Sequence, residues 1–494
     1  MLTKIANQLN SKQDKYAFYI DSQMFTYKRL SKIVNSISEK LSKITVKNSV
    51  IGIYATKNIY SYASLLSVLF TGNTFVILNP KFPLKRNLTI IQNSDISLIL
   101  SSDNNQELNN LAHSSGVPII YNKNLENTEK SFIFSPGNEN SLAYILYTSG
   151  STGEPKGVKI SLKNLNTFIE SFFATGIKFS SKDKVLQMFD LSFDVSVATT
   201  LLPLISGSCI YSVSDTNFKY PEIYKLIKEH RLTVLTIVPS ILSFFKPFFS
   251  ELKFPSVKTC ILTAEPSFNA MVKEWSNCIP NADIYNFYGP TEATIWCYYY
   301  MWEKTNFFEK GYKGYASIGK PLKNIFPILV DEKHSIISES LQKGELCLAG
   351  DQISIGYHNN QSQNKSSFFI KENKRYYKTG DICFFDNTGD YMLCGRVDDQ
   401  VQVQGYRVEL SEITSPIIEN FKVSNAVALS YRAPNNLTEI ALFLENYSGK
   451  VSDIRSFLEK NIPQYMIPHK IVILPEFPIN ESNKVDRIEL LTKI

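Results

Sequence analysis

Between residues 50 and 290 short apolar runs alternate with longer segments of helical spacing. The runs are "SVIGIYA", "TFVILN", "ISLILSS", "LAYILY", "TVLTIV", "KTCILT" and "ADIYNF"; among the intervening segments are "SYASLLSVLF", "VSVATTLLPLI" and "YPEIYKLIKEH". Strands separated by helices build parallel β-α units, so this alternation predicts α/β sheets with helices on both faces. Near residue 315 the texture changes. "FPILVDEKHSII", "GELCLAG" and "YMLCGRV" are short strands split by turns and predict a small antiparallel, barrel-like part. From about residue 398 the pattern reads strand, helix, strand, strand, helix, a small α+β unit. The 494 residues exceed one ordinary core, so two or three domains are expected.

One stretch interrupts the alternation. "YTSGSTGEPKGVKIS", residues 147–161, lies between the apolar "SLAYILY" and the helical "LKNLNTFIESFF". Glycines let several backbone N–H groups converge on one concavity, hydroxyls add donors, and two lysines add charge, so the stretch is suited to phosphates. It is not a Walker A loop, which requires G-x-x-x-x-G-K-[ST]; Pro155 stands five residues after Gly150. Composition narrows the alternatives. The charge of +6 comes from 52 Lys+Arg against 46 Asp+Glu, with basic residues scattered rather than grouped into a nucleic-acid groove. Seven cysteines occur singly, without C-x-x-C, which fits a reducing cytosol, and five scattered histidines give no zinc spacing. The N-terminus lacks a signal-peptide core and no apolar run reaches membrane-spanning length. A cytoplasmic protein is expected.

The phosphate-suited loop resembles that of the adenylate-forming superfamily, which includes acyl-CoA synthetases, luciferases and peptide-synthetase adenylation domains. Further motifs follow in the same order: "LFTGNTFVILNPKFP", "FDLSFDVSVATTLLPLISG", "NFYGPTEATI", "GELCLAGDQISIGY", "YYKTGD", "GRVDDQVQVQGYRVEL" and "NKVDRIEL". The resemblance implies a large N-terminal domain over 1–397, a C-terminal lid over 398–494 and a hinge at Asp398. It implies ATP and Mg²⁺ as cofactors, with a carboxylate oxygen attacking the α-phosphorus and pyrophosphate leaving. Charge accumulating on the phosphates calls for donors, cations and positioning. By match, Thr148, Ser149, Gly150, Ser151, Thr152, Gly153 and Lys156 hold phosphates. Phe287, Tyr288 and Gly289 line the adenine site, Tyr288 stacking on the base. Thr291 contacts phosphate and Glu292 binds Mg²⁺. Asp381 takes the ribose hydroxyls, Arg396 is a second ribose or phosphate contact, and Lys484 bridges the substrate carboxylate and the nucleotide.

For the acid, the amino-acid-activating branch carries an Asp that pairs with the α-ammonium, and "SFDVSV" places Asp194 there. Asp194 also reads as a helix N-cap, and both roles are compatible. The matching pocket positions are Val195, Ala198, Thr236, Leu262, Ala264, Phe287, Ile295 and Trp296. None is charged, so a small neutral amino acid is expected, because a charged side chain there would lack a partner. The chain is similar to stand-alone D-alanine–carrier protein ligases, but Ala264 stands where those have Cys. Asn483 replaces the Gly usual before the catalytic lysine, and Gln402 replaces a lysine that serves thioester formation in some relatives. Ten residues follow Lys484, so the acceptor is expected to be the phosphopantetheine thiol of a separate carrier protein, or coenzyme A. The alternatives are an acyl- or aryl-CoA ligase for acids without an amino group, and a non-catalytic nucleotide-binding relative.

Overall fold

The computed structural model describes residues 1–125, 133–150, 154–215, 219–303, 310–480 and 485–494. Each of the seven apolar runs forms a strand, shared between two sheets. In the first, Thr74–Leu78, Val50–Tyr54, Ile96–Ser101 and Ile119–Tyr121 pair in parallel, and Leu142–Thr148 joins beside Thr74–Leu78. In the second, Asp283–Tyr288, Thr259–Thr263, Val234–Ile237, Lys184–Gln187 and Cys209–Ser212 are parallel neighbours. The helix Ile59–Phe70 is buried on all sides, as a helix apolar around its circumference must be. Its Tyr62 hydroxyl meets Ser212 Oγ of the second sheet at 3.0 Å, and the Tyr62 ring lies 4.7 Å from Phe18. Asn58 starts this helix by accepting from the N–H groups of Tyr60 and Ser61.

The loop at 147–161 differs from its sequence reading. Lys156–Ser161 is a strand that pairs back antiparallel on Leu142–Thr148, and only then does the helix Leu162–Ala174 begin. The loop is thus the turn of a hairpin, not a strand-to-helix connection. Gly150 permits it: a Cβ there would fall 1.9 Å from the Glu154 carbonyl oxygen.

The change of texture near residue 315 is an antiparallel six-stranded sheet, with Phe326–Val330, Gly344–Ala349, Lys374–Phe385 and Tyr391–Arg396 in successive pairs. Beyond it comes a small α+β part. The hairpin Gln400–Val403 and Tyr406–Glu409 stands where one strand was expected. Its turn, Gln404–Gly405, has φ of 50° and 82°, as a two-residue hairpin turn needs. A three-stranded sheet of Asn425–Arg432, Thr438–Glu445 and Lys470–Leu474 follows, with helices Ser411–Asn420 and Val451–Asn461. The last strand was missed at the sequence level; its half-exposed pattern carries a weak period. The apolar core of this part, from Val403 to Ile467, is separate from the large core that runs from Leu2 to Cys383. All seven cysteines are free thiols, five of them buried. Among the described residues no helix is long and apolar enough to cross a membrane.

Candidate active site

A cavity of about 540 Å³ opens where the strand ends Leu142–Thr148, Thr259–Thr263 and Asp283–Tyr288 meet the C-terminal hairpin. Thr148, Ser149, Asp194, Val195, Ala264, Phe287, Tyr288, Gly289, Thr291, Ile295, Asp381 and Arg396 all line it. These expected residues come from segments far apart in sequence, which the fold gathers at one mouth. Ser151, Thr152, Gly153 and Lys484 lie outside the described residues.

Asp194 is the first residue of the helix Asp194–Ser206; the cap is Phe193, which makes no side-chain cap bond. The N-cap reading is therefore corrected, although a carboxylate in the first turn still favours the helix dipole. Burial pushes the Asp194 carboxyl up to about 6, against hydrogen bonds from Thr291 and the Val195 N–H. No ion pair is made by Asp194 among the described residues.

Four of the eight pocket positions line the cavity, namely Val195, Ala264, Phe287 and Ile295. Leu262 does not. Strand alternation turns it to the opposite face and puts Thr263 on the wall. Thr236 and Ala198 are buried and do not line it. Trp296 backs it: its ring lies 4.8 Å from Phe287 and its indole N–H donates to Thr263 Oγ1 at 2.8 Å.

At the other end, the Tyr288 hydroxyl donates to Asp381 Oδ2 at 2.5 Å. The register of Lys374–Phe385 against Tyr391–Arg396 sets Arg396 opposite Asp381, and its Nη1 reaches Oδ1 at 2.5 Å. The same guanidinium holds Asp398 through Nε at 2.6 Å and Nη2 at 2.8 Å. Burial raises the Asp398 carboxyl, but Arg396 outweighs it and holds it below the usual range. The Thr148 hydroxyl is buried with no hydrogen-bond partner among the described residues.

Glu292 and Lys156 are not on the cavity wall, because side chains of the C-terminal hairpin cover them. Arg407 Nη1 lies 2.8 Å from Glu292 Oε2, and the Tyr357 hydroxyl donates to Oε1 at 2.7 Å. Burial pushes Glu292 up, yet Arg407 and Tyr357 hold it below the ordinary carboxylate range. Lys156 Nζ is 3.9 Å from Glu409 Oε1, and burial lowers the lysine. Ser149 Oγ donates to the Arg407 carbonyl at 2.9 Å. The roles of Arg407, Glu409 and Tyr357 were not read from sequence. A signal existed: Arg407 and Glu409 stand two apart on one strand and share a face.

Gln352 was also missed. Thr294 and Ile295 have φ of 57° and 74°, positions that β-branched residues avoid. The buried Gln352 side-chain amide donates to the carbonyls of Ala293 at 2.8 Å, Thr294 at 3.3 Å and Trp296, and the Gln352 backbone carbonyl accepts from Thr294 Oγ1 at 2.6 Å. The strained turn between Glu292 and Trp296 is thus clamped from one side chain.

Residues 5–358 match the AMP-binding enzyme family. The chain is 26% identical over 481 residues to tyrocidine synthase 1 of Brevibacillus parabrevis, covering 96% of itself but 43% of that synthase; it spans less than half of that relative's length. Its fold is that of the Vibrio cholerae adenylation domain AlmE, solved with glycyl-adenosine-5'-phosphate, at TM-score 0.88, 21% identity, and 99% and 97% coverage of the two chains. It is equally that of the o-succinylbenzoate CoA synthetase of Bacillus subtilis, at TM-score 0.84, 20% identity, and 99% and 98% coverage. The ordered motifs, the shared cavity and these matches together place the chain in the AMP-binding enzyme family of adenylate-forming enzymes.

Proposed function

We propose that this protein activates a small neutral amino acid as aminoacyl-AMP, releasing pyrophosphate, and then passes the aminoacyl group to a phosphopantetheine thiol on a separate carrier protein or coenzyme A. The observation that carries the reading is Asp194: an ionisable carboxyl with no ion-pair partner among the described residues, at the apolar end of the cavity. An α-ammonium supplies the missing cation, whereas an acid without an amino group leaves the carboxylate buried and unpaired. Val195, Phe287 and Ile295, backed by Trp296, give the substrate side chain a short apolar wall.

The residues present fit ATP and magnesium. Thr148 offers an unpartnered buried hydroxyl among the described residues, and Glu292 is a buried carboxylate kept ionised by a neighbouring cation, here the Arg407 guanidinium. When bound, ATP supplies the α-phosphorus for the substrate carboxylate to attack. Asp381 and Arg396 hold the ribose end, Tyr288 stacks on adenine, and Ser149, Gly150, Ser151, Thr152, Gly153, Lys156 and Thr291 take the phosphates. Glu292 would hold magnesium, and Lys484 would bridge the carboxylate and the nucleotide. The unit 398–494 acts as a lid on 1–397, hinged at Asp398. In the arrangement described, Arg407 and Glu409 occupy Glu292 and Lys156. This hairpin position and a bound magnesium triphosphate therefore exclude each other, which suits the step after pyrophosphate has left.

The test is ATP–pyrophosphate exchange over a panel of amino acids and their des-amino analogues. Exchange with small neutral amino acids, lost with the analogues and lost in Asp194→Ala, is expected. Equal or better exchange with the analogues contradicts the reading and favours an acyl- or aryl-CoA ligase.

A further inference from the structure

Asp190 is the second residue of the "FDLSFDVSVATTLLPLISG" stretch, where no role was read for it; it is 8% exposed and surrounded by charge. It sits between the strand Lys184–Gln187 and the helix Asp194–Ser206. Lys219 Nζ lies 3.8 Å from its Oδ2. Lys57, 4% exposed, donates to the Met188 carbonyl at 3.3 Å and pairs with Asp215 at 3.6 Å; Lys81 pairs with Asp215 at 3.3 Å. The backbone N–H of Lys57 also donates to Asp215, at 2.7 Å. Burial pushes Asp190 up, but Lys219, Lys57 and Lys81 together hold it below the usual range, so its carboxylate is charged.

What Asp190 does with that charge is to receive the lid. The Tyr406 hydroxyl, at the edge of the hairpin turn, donates to Asp190 Oδ2 at 2.8 Å. The Tyr406 ring stacks on Tyr465 at 4.0 Å and 14°, and meets Phe193 edge-on at 4.7 Å. Tyr406 neighbours Arg407, so seating the tyrosine fixes where Arg407 and Glu409 fall. A buried ion network is weak evidence for stability, since desolvation cancels much of its attraction; its best-attested use is fixing one arrangement over another. The arrangement fixed here is the hairpin over the site.

We propose that Asp190 is a positioning residue of the thiol-transfer half-reaction: its carboxylate, beside Lys219, takes the Tyr406 hydroxyl and registers the hairpin 400–409 over the emptied phosphate site. The proposal rests on the two-step function above. Adenylation needs the hairpin out of the way, so the latch serves only the second step.

Tyr406→Phe keeps the ring and removes the hydroxyl; Asp190→Asn removes the charge. In the full chain, amide hydrogen exchange of the segment 400–409 is followed without ligand. Amino-acid-dependent pyrophosphate exchange and single-turnover transfer to pantetheine are measured alongside. Both variants are expected to lose protection in the hairpin, to slow transfer about tenfold or more, and to leave pyrophosphate exchange within about twofold. The double variant should transfer no more slowly than the slower single, because both act on the same Tyr406–Asp190 contact. Unchanged hairpin protection in Tyr406→Phe overturns the proposal, as does an equal fall in both half-reactions or losses that multiply in the double variant. Should the unmodified chain exchange pyrophosphate with no amino acid, the proposed function fails instead, and hydrogen exchange alone decides whether Asp190 seats the hairpin.

Discussion

Burial pushes the Asp194 carboxyl up to about 6, with no ion-pair partner among the described residues, and this gives substrate binding a pH signature. An ammonium pairs only with the ionised form. In the free site that form is complete well above 6 and is lost as pH falls through 6, so amino-acid affinity should drop about tenfold per pH unit below that point. Asp194→Asn should bind weakly at every pH and show no such slope; calorimetric titration from pH 5 to 8 checks both. Lys484 is argued from its motif alone, since it lies outside the described residues. Lys484→Ala should slow adenylation by roughly a hundredfold, about 2.7 kcal/mol of transition-state stabilisation, with ATP affinity little changed. Near-normal adenylation in that variant removes the lysine from the mechanism. At this scale the contiguous motifs were legible, because short strings at strand ends carry their own chemistry. The pairing of Arg407 with Glu292 was not, since those residues stand 115 apart and meet only in the folded chain.

Two elements shape the site beyond what their local sequence announces. The turn after Glu292 holds two β-branched residues at positive φ, a strain of order 1–3 kcal/mol each, and Gln352 over-determines it. Gln352→Leu should destabilise the fold by about 1–3 kcal/mol and raise KM for the amino acid more than it lowers kcat, because the turn carries the Ile295 wall of the cavity. Denaturant unfolding with steady-state kinetics reads both; an unchanged KM shows that the turn holds without the clamp. Seven parallel strands were legible as apolar runs because both faces of such sheets are buried, whereas the short Ile119–Tyr121, Lys184–Gln187 and Cys209–Ser212 were not read. Lys156–Ser161 was hidden inside a glycine-rich stretch, and its pairing is set by its neighbour Leu142–Thr148 rather than by its own period. The swap of Leu262 for Thr263 on the wall has the same origin: a one-residue shift along a strand reverses the face.

Among the described residues the apolar core from Val403 to Ile467 is separate from the large core, and charged contacts bring the smaller part onto the larger: Arg407 to Glu292, Glu409 to Lys156, and the buried pair Arg86–Glu412 at 2.9 Å. Such contacts can be exchanged without unfolding either core, as a two-position lid requires. The small α+β unit was legible as a change of texture, but the way its hairpin Gln400–Glu409 meets the site was not, because no local pattern encodes it. Asp398→Pro should restrict the hinge, since proline fixes φ and removes an N–H, with Asp398→Ala as control for the lost bonds to Arg396. Aminoacyl-AMP should still form while transfer to a carrier collapses; equal losses in both steps contradict lid rotation. The central claim is that the cavity activates an α-amino acid. The direct test is a quenched reaction of the chain with ATP, magnesium and an equimolar mixture of small neutral amino acids and their des-amino analogues, with the adenylates identified by mass. The account predicts adenylates that carry an α-amino group; a product made up of the des-amino adenylates contradicts it.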